Sequence, residues 1–305
     1  MSSPTGRLTP RAALLLCLPP LFWAGNALVG RMVYTLISPM TLNFLRWVLA
    51  GLLLLPLAAW VLRPDSALWP HWRRYALLGL LGVGCYNSFQ YLALHTSSPI
   101  NVTLVASSTP VFMLAIGVLF FEQSLRKQQL VGAALSVVGV LLVLCRGDIP
   151  ALLQVELVWG DVFVLLATAC WAGYSWLLSV TQEPDTVRGD WAAFLLAQIA
   201  FGLFWSGSFT ATEWLTQQAH VDWSLPLLAA LVYVAVFPAL LAYRCWGLGV
   251  QAAGPNIAGF FANLTPLFAA LLSALALGEW PQWYHMAAFA LIVGGIAVSS
   301  RSAHS

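Results

Sequence analysis

The sequence predicts an all-α, polytopic membrane protein with ten transmembrane helices in two inverted five-helix repeats. Three observations predict it. The 305 residues are 60% hydrophobic and 8% charged, with a mean hydropathy of +0.83, whereas soluble chains carry about 25% charge. Apolar runs follow one another almost end to end, each close to the roughly 20 residues a bilayer-spanning helix needs. A stretch of the first half also recurs in the second.

The spans are expected at 12–33, 39–62, 74–95, 99–121, 128–146, 157–179, 191–209, 224–246, 255–277 and 283–300. The connections are too short for a soluble domain, so any chemistry sits among the helices or at their ends. Arg7 and Arg11 precede the first span as they would precede a signal peptide. That span is too long for one, and Trp23-Ala24-Gly25-Asn26 offers no small-x-small cleavage site. Leu14-Leu15-Leu16 lacks the small residue that a lipoprotein motif places before its cysteine, here Cys17. The segment reads as an uncleaved first helix.

Basic residues orient the set. An N-terminus in the cytoplasm puts Arg7, Arg11, Arg63, Arg73, Arg74, Arg126, Lys127, Arg188 and Arg301 on the cytoplasmic side, against Arg31 and Arg146 outside. Both termini are then cytoplasmic. Trp60, Trp69, Trp72, Trp176 and Trp191 fall at cytoplasmic helix ends, and Trp159, Trp214, Trp223, Trp280 and Trp283 at outer ends, where amphipathic rings favour the headgroup level. The net charge is +2, and no basic run points to nucleic acid. Cys17, Cys85, Cys145, Cys170 and Cys245 are scattered without CxxC spacing, which argues against a disulfide or metal site. Arginine outnumbers lysine twelve to one, as in a GC-rich bacterial genome, and the expected location is the inner membrane.

Residues 91–120 align without gaps on 247–276, an offset of 156, with Leu92/Leu248, Pro99/Pro255, Ala106/Ala262, Thr109/Thr265, Pro110/Pro266, Phe112/Phe268 and Leu119/Leu275 identical. Trp23-Ala24-Gly25 also recurs as Trp171-Ala172-Gly173. Five helices per unit make the second unit enter the membrane from the other side, the arrangement of secondary transporters with a midplane site between the halves.

Trp-Ala-Gly in the first helix, Asn followed by Thr-Pro in the fourth, and Glu122 and Glu279 after helices four and nine resemble the EamA-type drug/metabolite transporter superfamily. The resemblance covers nearly the whole chain and makes 12–146 and 157–300 its two five-helix repeats. It implies a transporter from a family that includes exporters of aromatic and other amino acids.

Pro110 and Pro266 read as mid-helix residues that free the carbonyls of Ala106 and Ala262, as hinges or as static kinks satisfied by Thr109. An amide in hydrocarbon is costly without a partner, so Asn26, Asn87, Gln90, Asn101 and Asn263 should face the bundle interior, with Asn87 and Gln90 on one face of helix three. They either line the pathway or glue helices together. Trp23, Trp171 and Tyr174 are candidate walls of an apolar cavity, with the two tryptophans expected near opposite membrane faces as paired gates. Arg46 lies about two turns into helix two and is a candidate for a substrate carboxylate, or snorkels. Arg244 is expected to snorkel. Helix one carries no acidic residue, which disfavours strict proton/cationic-drug antiport, and Glu122 and Glu279 read as helix-end anchors.

No HExxH, GxSxG or Walker loop suggests an enzyme, and no charged ring suggests a channel. The resulting expectation is an exporter of small neutral or zwitterionic metabolites, such as amino acids, working by alternating access. The alternative is proton-coupled multidrug efflux. The expected substrate-binding residues are Trp23, Asn26, Arg46, Asn87, Gln90, Asn101, Trp171, Tyr174 and Asn263, with Pro110 and Pro266 as hinges. No cofactor or metal is implied. The expected partners are the small-molecule substrate and membrane lipid, and a monomer suffices because duplication already supplies the symmetry.

Overall fold

Apolar runs entered through Pro, Ser or Thr become helices, because proline fits a first turn that has no intrahelical N–H bond to lose. In this computed structural model, residues 8–94, 97, 99–148, 150, 152, 156, 158–277 and 282–300 are described. Arg7, His95, Glu279, Trp280, Arg301 and the side chains of Arg31, Tyr91 and Asn101 lie outside the described residues.

Helix α1 is Pro10–Val33, with Thr9 accepting from the Ala12 N–H at 3.2 Å, and α2 is Pro39–Ala58. Helix α3 runs through Trp72–Leu78, a π-helical segment Gly79–Cys85 and Tyr86–Leu94. Helix α4 is broken into Pro99–Ala106 and Thr109–Phe120. Then come α5 (Lys127–Leu144), α6 (Trp159–Ser179) and α7 (Trp191–Leu215). Helix α8 consists of Leu225–Val234, a π-helical segment Ala235–Leu241 and Ala242–Ala253. Helix α9 is broken into Pro255–Ala262 and Thr265–Leu277, and α10 is Trp283–Ser300. Among the described residues nine helices are long and apolar enough to cross a membrane. The set fits the ten-helix expectation, with α3, which carries Arg73 and Arg74 in its first turn, as the remaining member. Helix α7 extends past its expected end at 209 to Leu215.

The sequence offset of 156 recurs in the backbone. It maps the α3 π segment onto that of α8 (Gly79 to Ala235), the α4 break onto that of α9, and α5 onto α10 end for end. Gly132 lies against Gly295 while Gly139 lies against Ala288. Helices α5 and α10 therefore run antiparallel, the relation an inverted repeat demands.

The breaks in α4 and α9 correct the expectation of mid-helix prolines. Ser107-Ser108 and Asn263-Leu264 form turns, so Pro110 and Pro266 sit in the first turn of new helices. The freed carbonyls do not face a cavity unpaired. Thr109 Oγ1 donates to the Ala106 carbonyl at 2.6 Å, and Thr265 Oγ1 to that of Ala262 at 2.7 Å.

Candidate functional site

The two π segments bring their flanking residues together at the centre. Asn87, two residues past the α3 segment, donates Nδ2–H to the Tyr243 hydroxyl at 3.4 Å. Tyr243, two residues past the α8 segment, donates to the Gly82 carbonyl inside the α3 segment. A π turn displaces backbone groups from the regular ladder, which is why such segments recur at functional sites.

Around this contact lies an aromatic cluster with Trp171 at its hub. Its ring centroid is 4.5 Å from Tyr86, 5.1 Å from Trp23, 5.2 Å from Tyr174, 5.3 Å from Trp246 and 5.4 Å from Tyr243. Trp47 meets Tyr243 edge to face at 5.0 Å. Trp246 Nε1–H donates to Ser175 Oγ at 2.9 Å, and the Tyr174 hydroxyl to Gln198 Oε1 at 3.0 Å. The indole N–H groups of Trp171 and Trp47 are buried and have no acceptor. A cluster of this kind offers ring faces and edges together with free N–H donors.

Beside the cluster, the broken helices are tied to one another. Asn263 Nδ2–H reaches the Ser107 carbonyl at 3.2 Å and Ser136 Oγ at 2.9 Å. Cys85 of α3 and Cys170 of α6 are neighbours, both as free thiols.

The helix ends are fastened by different chemistry. At the arginine-rich end, Glu183 pairs with Arg74 Nε at 2.7 Å and Arg188 Nη1 at 2.6 Å. Arg74 also donates to the carbonyls of Leu177 and Val180, which tie the end of α6 to the start of α3. Burial opposes the charge on Glu183, but the hydrogen bond and charge of Arg74, the Gln182 N–H and Arg188 together hold its carboxyl below the ordinary value. A cavity of about 620 Å³ opens here among the ends of α3, α4 and α6, lined by Arg73, Arg74, Phe121 and Gln182. Trp176, stacked on Phe121 at 4.9 Å and donating to the Met113 carbonyl at 2.7 Å, links α6 to α4 beside it. At the other end, Glu213 of α7 caps α2 from outside. It accepts from the N–H groups of Met40 at 3.0 Å and Thr41 at 2.9 Å, and from the hydroxyls of Ser38 and Thr41 at 2.8 Å. A carboxylate suits the positive end of a helix.

Similarity to known proteins bears on this geometry. The EamA-like transporter family matches twice, over residues 10–145 and 158–301. The chain belongs to the EamA-like transporter family. An uncharacterized transporter of Archaeoglobus fulgidus is 25% identical over 97% of this chain and 100% of its own. Protein PecM of Dickeya dadantii is 26% identical over 85% of this chain and 82% of its own. The aromatic amino acid exporter YddG of Ancylobacter novellus is 24% identical over 76% of each. One crystal structure superimposes with a TM-score of 0.72 at 21% identity, covering 95% of this chain and 96% of that one, and so shares the fold. With its apolar helices, this EamA-type chain is a multi-pass membrane protein.

Within this EamA fold the expected site residues separate into groups. Trp23, Trp171, Tyr174 and Asn87 meet in the central cluster. Trp23 and Trp171 touch, so they are not gates at opposite faces. Each lies near mid-helix, where a two-fold axis brings equivalent residues together. Asn26 and Gln90 are half-buried on α1 and α3. The Asn263 amide is engaged with the α4 turn and α5, and the Asn101 side chain lies outside the described residues. Arg46 is 2% exposed and does not snorkel; Arg244 is exposed and stacks its guanidinium 4.4 Å from the Trp191 ring centroid. Sequence reasoning missed Tyr243 and Trp246, although the offset of 156 projects Asn87 and Gln90 onto them. It also missed Trp47, Glu183 and Glu213.

Proposed function

We propose that this chain exports small neutral or zwitterionic metabolites, such as amino acids, from the cytoplasm across the inner membrane by alternating access. One observation carries the reading. The elements that break helical regularity, the π segments of α3 and α8, converge on an uncharged cluster of aromatic rings with donors to spare. Ring faces bind apolar side chains, and indole and amide N–H groups fix orientation without trapping a cation. The similarity to a relative named as an aromatic amino acid exporter supports the substrate class. Of the buried acids among the described residues, Asp161 and Glu213 cap helix N-termini, Asp161 through the Val158 N–H at 2.8 Å, and Glu183 is paired with two arginines, which gives proton-coupled drug efflux less support. Both termini are cytoplasmic in this reading, so the cavity at the arginine-rich end is the entry vestibule. Pro110 and Pro266 mark the turns about which α4 and α9 flex.

The test is efflux from proteoliposomes preloaded with amino acids, their analogues and cationic dyes, with and without a pH gradient. Release of neutral amino acids, cut by Trp171→Phe at unchanged protein abundance, is the expected result. Release of dyes alone, and only with the gradient, would overturn it.

A further inference from the structure

Among the described residues, Arg46 is a buried charge without an ion pair. We propose that Arg46, Asn43 and Trp47 form a buried anion subsite that takes the carboxylate of the transported molecule; the assignment rests on the central cluster being the substrate site.

The argument begins with cost. A guanidinium stays protonated at any working pH, and an intramembrane charge is expensive to keep without a counter-charge. Arg46 is 2% exposed, one helical stretch of about 10 Å in from the start of α2. Among the described residues the ion pairs are those of Glu183 with Arg74 and Arg188, far along the chain from it. Its Nη2–H donates to Asn43 Oδ1 at 2.8 Å, a neutral partner. Its guanidinium carbon lies 5.0 Å from the Trp47 ring centroid.

The unmet polar atoms identify the ligand. Arg46 Nε, Asn43 Nδ2 and Trp47 Nε1 are buried without a partner, and each is a donor. Positions 43, 46 and 47 share one face of a helix. Three donors without an acceptor call for an acceptor-only group, and a carboxylate has two oxygens and no proton. Across the seam to α7, Thr210 Oγ1 donates to the Met40 carbonyl at 2.9 Å and Gly207 abuts the Phe44 ring. That register sets the unpartnered Ser206 hydroxyl at the same level. Trp47 joins the subsite to the cluster through its 5.0 Å contact with Tyr243. A small carboxylate bound at Arg46 would keep its apolar part against the rings. The class selected is small molecules with a free carboxylate, zwitterions included, and amines without one are rejected.

Binding is measured on the purified full-length chain, by tryptophan fluorescence and by thermal shift, with sodium benzoate, benzamide and sodium chloride as probes. Benzoate should bind and stabilise, and benzamide, its neutral isostere, should do so at least about tenfold more weakly, as expected on losing charge-assisted bonds. Arg46→Gln should remove the difference between the two, and Arg46→Lys should retain part of it. Should Arg46→Gln not fold, Asn43→Ala and Arg46→Lys serve, each expected to weaken benzoate and leave benzamide unchanged. Equal binding of benzoate and benzamide, or variants that bind benzoate as the wild type does, would overturn the subsite. Chloride competing as well as benzoate would make it an inorganic-anion site and overturn the carboxylate assignment. Arg46-dependent benzoate binding in a chain that releases no amino acid would count against the export reading alone.

Discussion

Two pairs of repeat-related helices, α5 with α10 and α3 with α8, are held together in opposite ways. In the first pair backbone meets backbone. A Cβ added at Gly295 would lie 2.7 Å from the Gly132 carbonyl oxygen, and one at Gly132 would lie 2.6 Å from that of Gly295. Small residues that let helices approach this closely are a membrane packing device, and they leave no room for sliding. In the second pair the helices meet through the side chains of Asn87 and Tyr243, and through Trp171 of α6, whose ring lies 4.5 Å from that of Tyr86 on α3 and 5.4 Å from that of Tyr243 on α8. The same symmetry thus yields a rigid seam at the edge and an adaptable, donor-rich centre. Transport by alternating access needs both, a fixed frame and elements that can repack.

The sharpest way to break this contrast uses adjacent glycines. Gly295→Leu should part α5 from α10 at a cost of about 3 kcal/mol, the upper range for overpacking, and remove most folded protein on size-exclusion chromatography. Gly294→Ala, where an added Cβ meets nothing within 4 Å, should leave the elution profile unchanged. Equal behaviour of the two would mean that the seam is not the rigid element.

Motion at the centre has its own reporter. With Cys17, Cys145 and Cys245 replaced by Ser, oxidation should join Cys85 to Cys170 within one chain, because the two free thiols are neighbours. The crosslink is expected to stop efflux and dithiothreitol to restore it. Full transport by the crosslinked protein would show that α3 and α6 do not separate there, and would remove the distinction drawn above.

Much of this was legible in the sequence. Apolar runs placed the helices, since lipid allows no other way to satisfy the backbone, and α10 falls at its expected 283–300. The offset of 156 marked the broken helices. The breaks themselves were hidden, because the apolar run continues through Ser107-Ser108 and a hydropathy pattern does not register which carbonyl a threonine hydroxyl will cap. The π segments were hidden too, since they are stabilised by what packs on them: Tyr174 lies over Gly82, and Trp205 over Gly84. Trp171 as hub and Glu213 as a cap for α2 depend on residues far apart in the chain, Trp23 with Trp171 and Thr41 with Glu213, for which no local spacing gives a signal.

The arginine-rich end should respond to acid through Glu183. The Glu183 carboxyl is held below its ordinary value of 4.5. Its contribution to stability is therefore complete above that value and is lost as pH falls through the depressed folded-state value. Glu183→Gln should lower stability at neutral pH by about 2 kcal/mol, the scale of hydrogen bonds to a charged group. It should also flatten the acid limb of a thermal-shift profile recorded from neutral pH downwards. An unchanged acid limb would mean that another carboxylate governs the loosening of the arginine-rich end.

The smallest expected effect bears most directly on the centre. Tyr243→Phe keeps the ring that touches Trp171 and Trp47 and removes the hydroxyl between the Gly82 carbonyl and Asn87. A single neutral hydrogen bond contributes about 1 kcal/mol, so the melting temperature should shift by only a few degrees. Transport should respond more strongly than stability, because that hydroxyl is the direct hydrogen-bonded link between α3 and α8 at their π segments. The comparison with Asn263→Ala sharpens the point. Asn263 binds the α4 turn to α5, on the frame side of the cluster, and its loss should lower stability and transport in proportion. If instead Tyr243→Phe moved both in proportion and Asn263→Ala moved transport alone, the link across the π segments would be scaffold and the tie from Asn263 to the α4 turn and α5 would belong to the working centre.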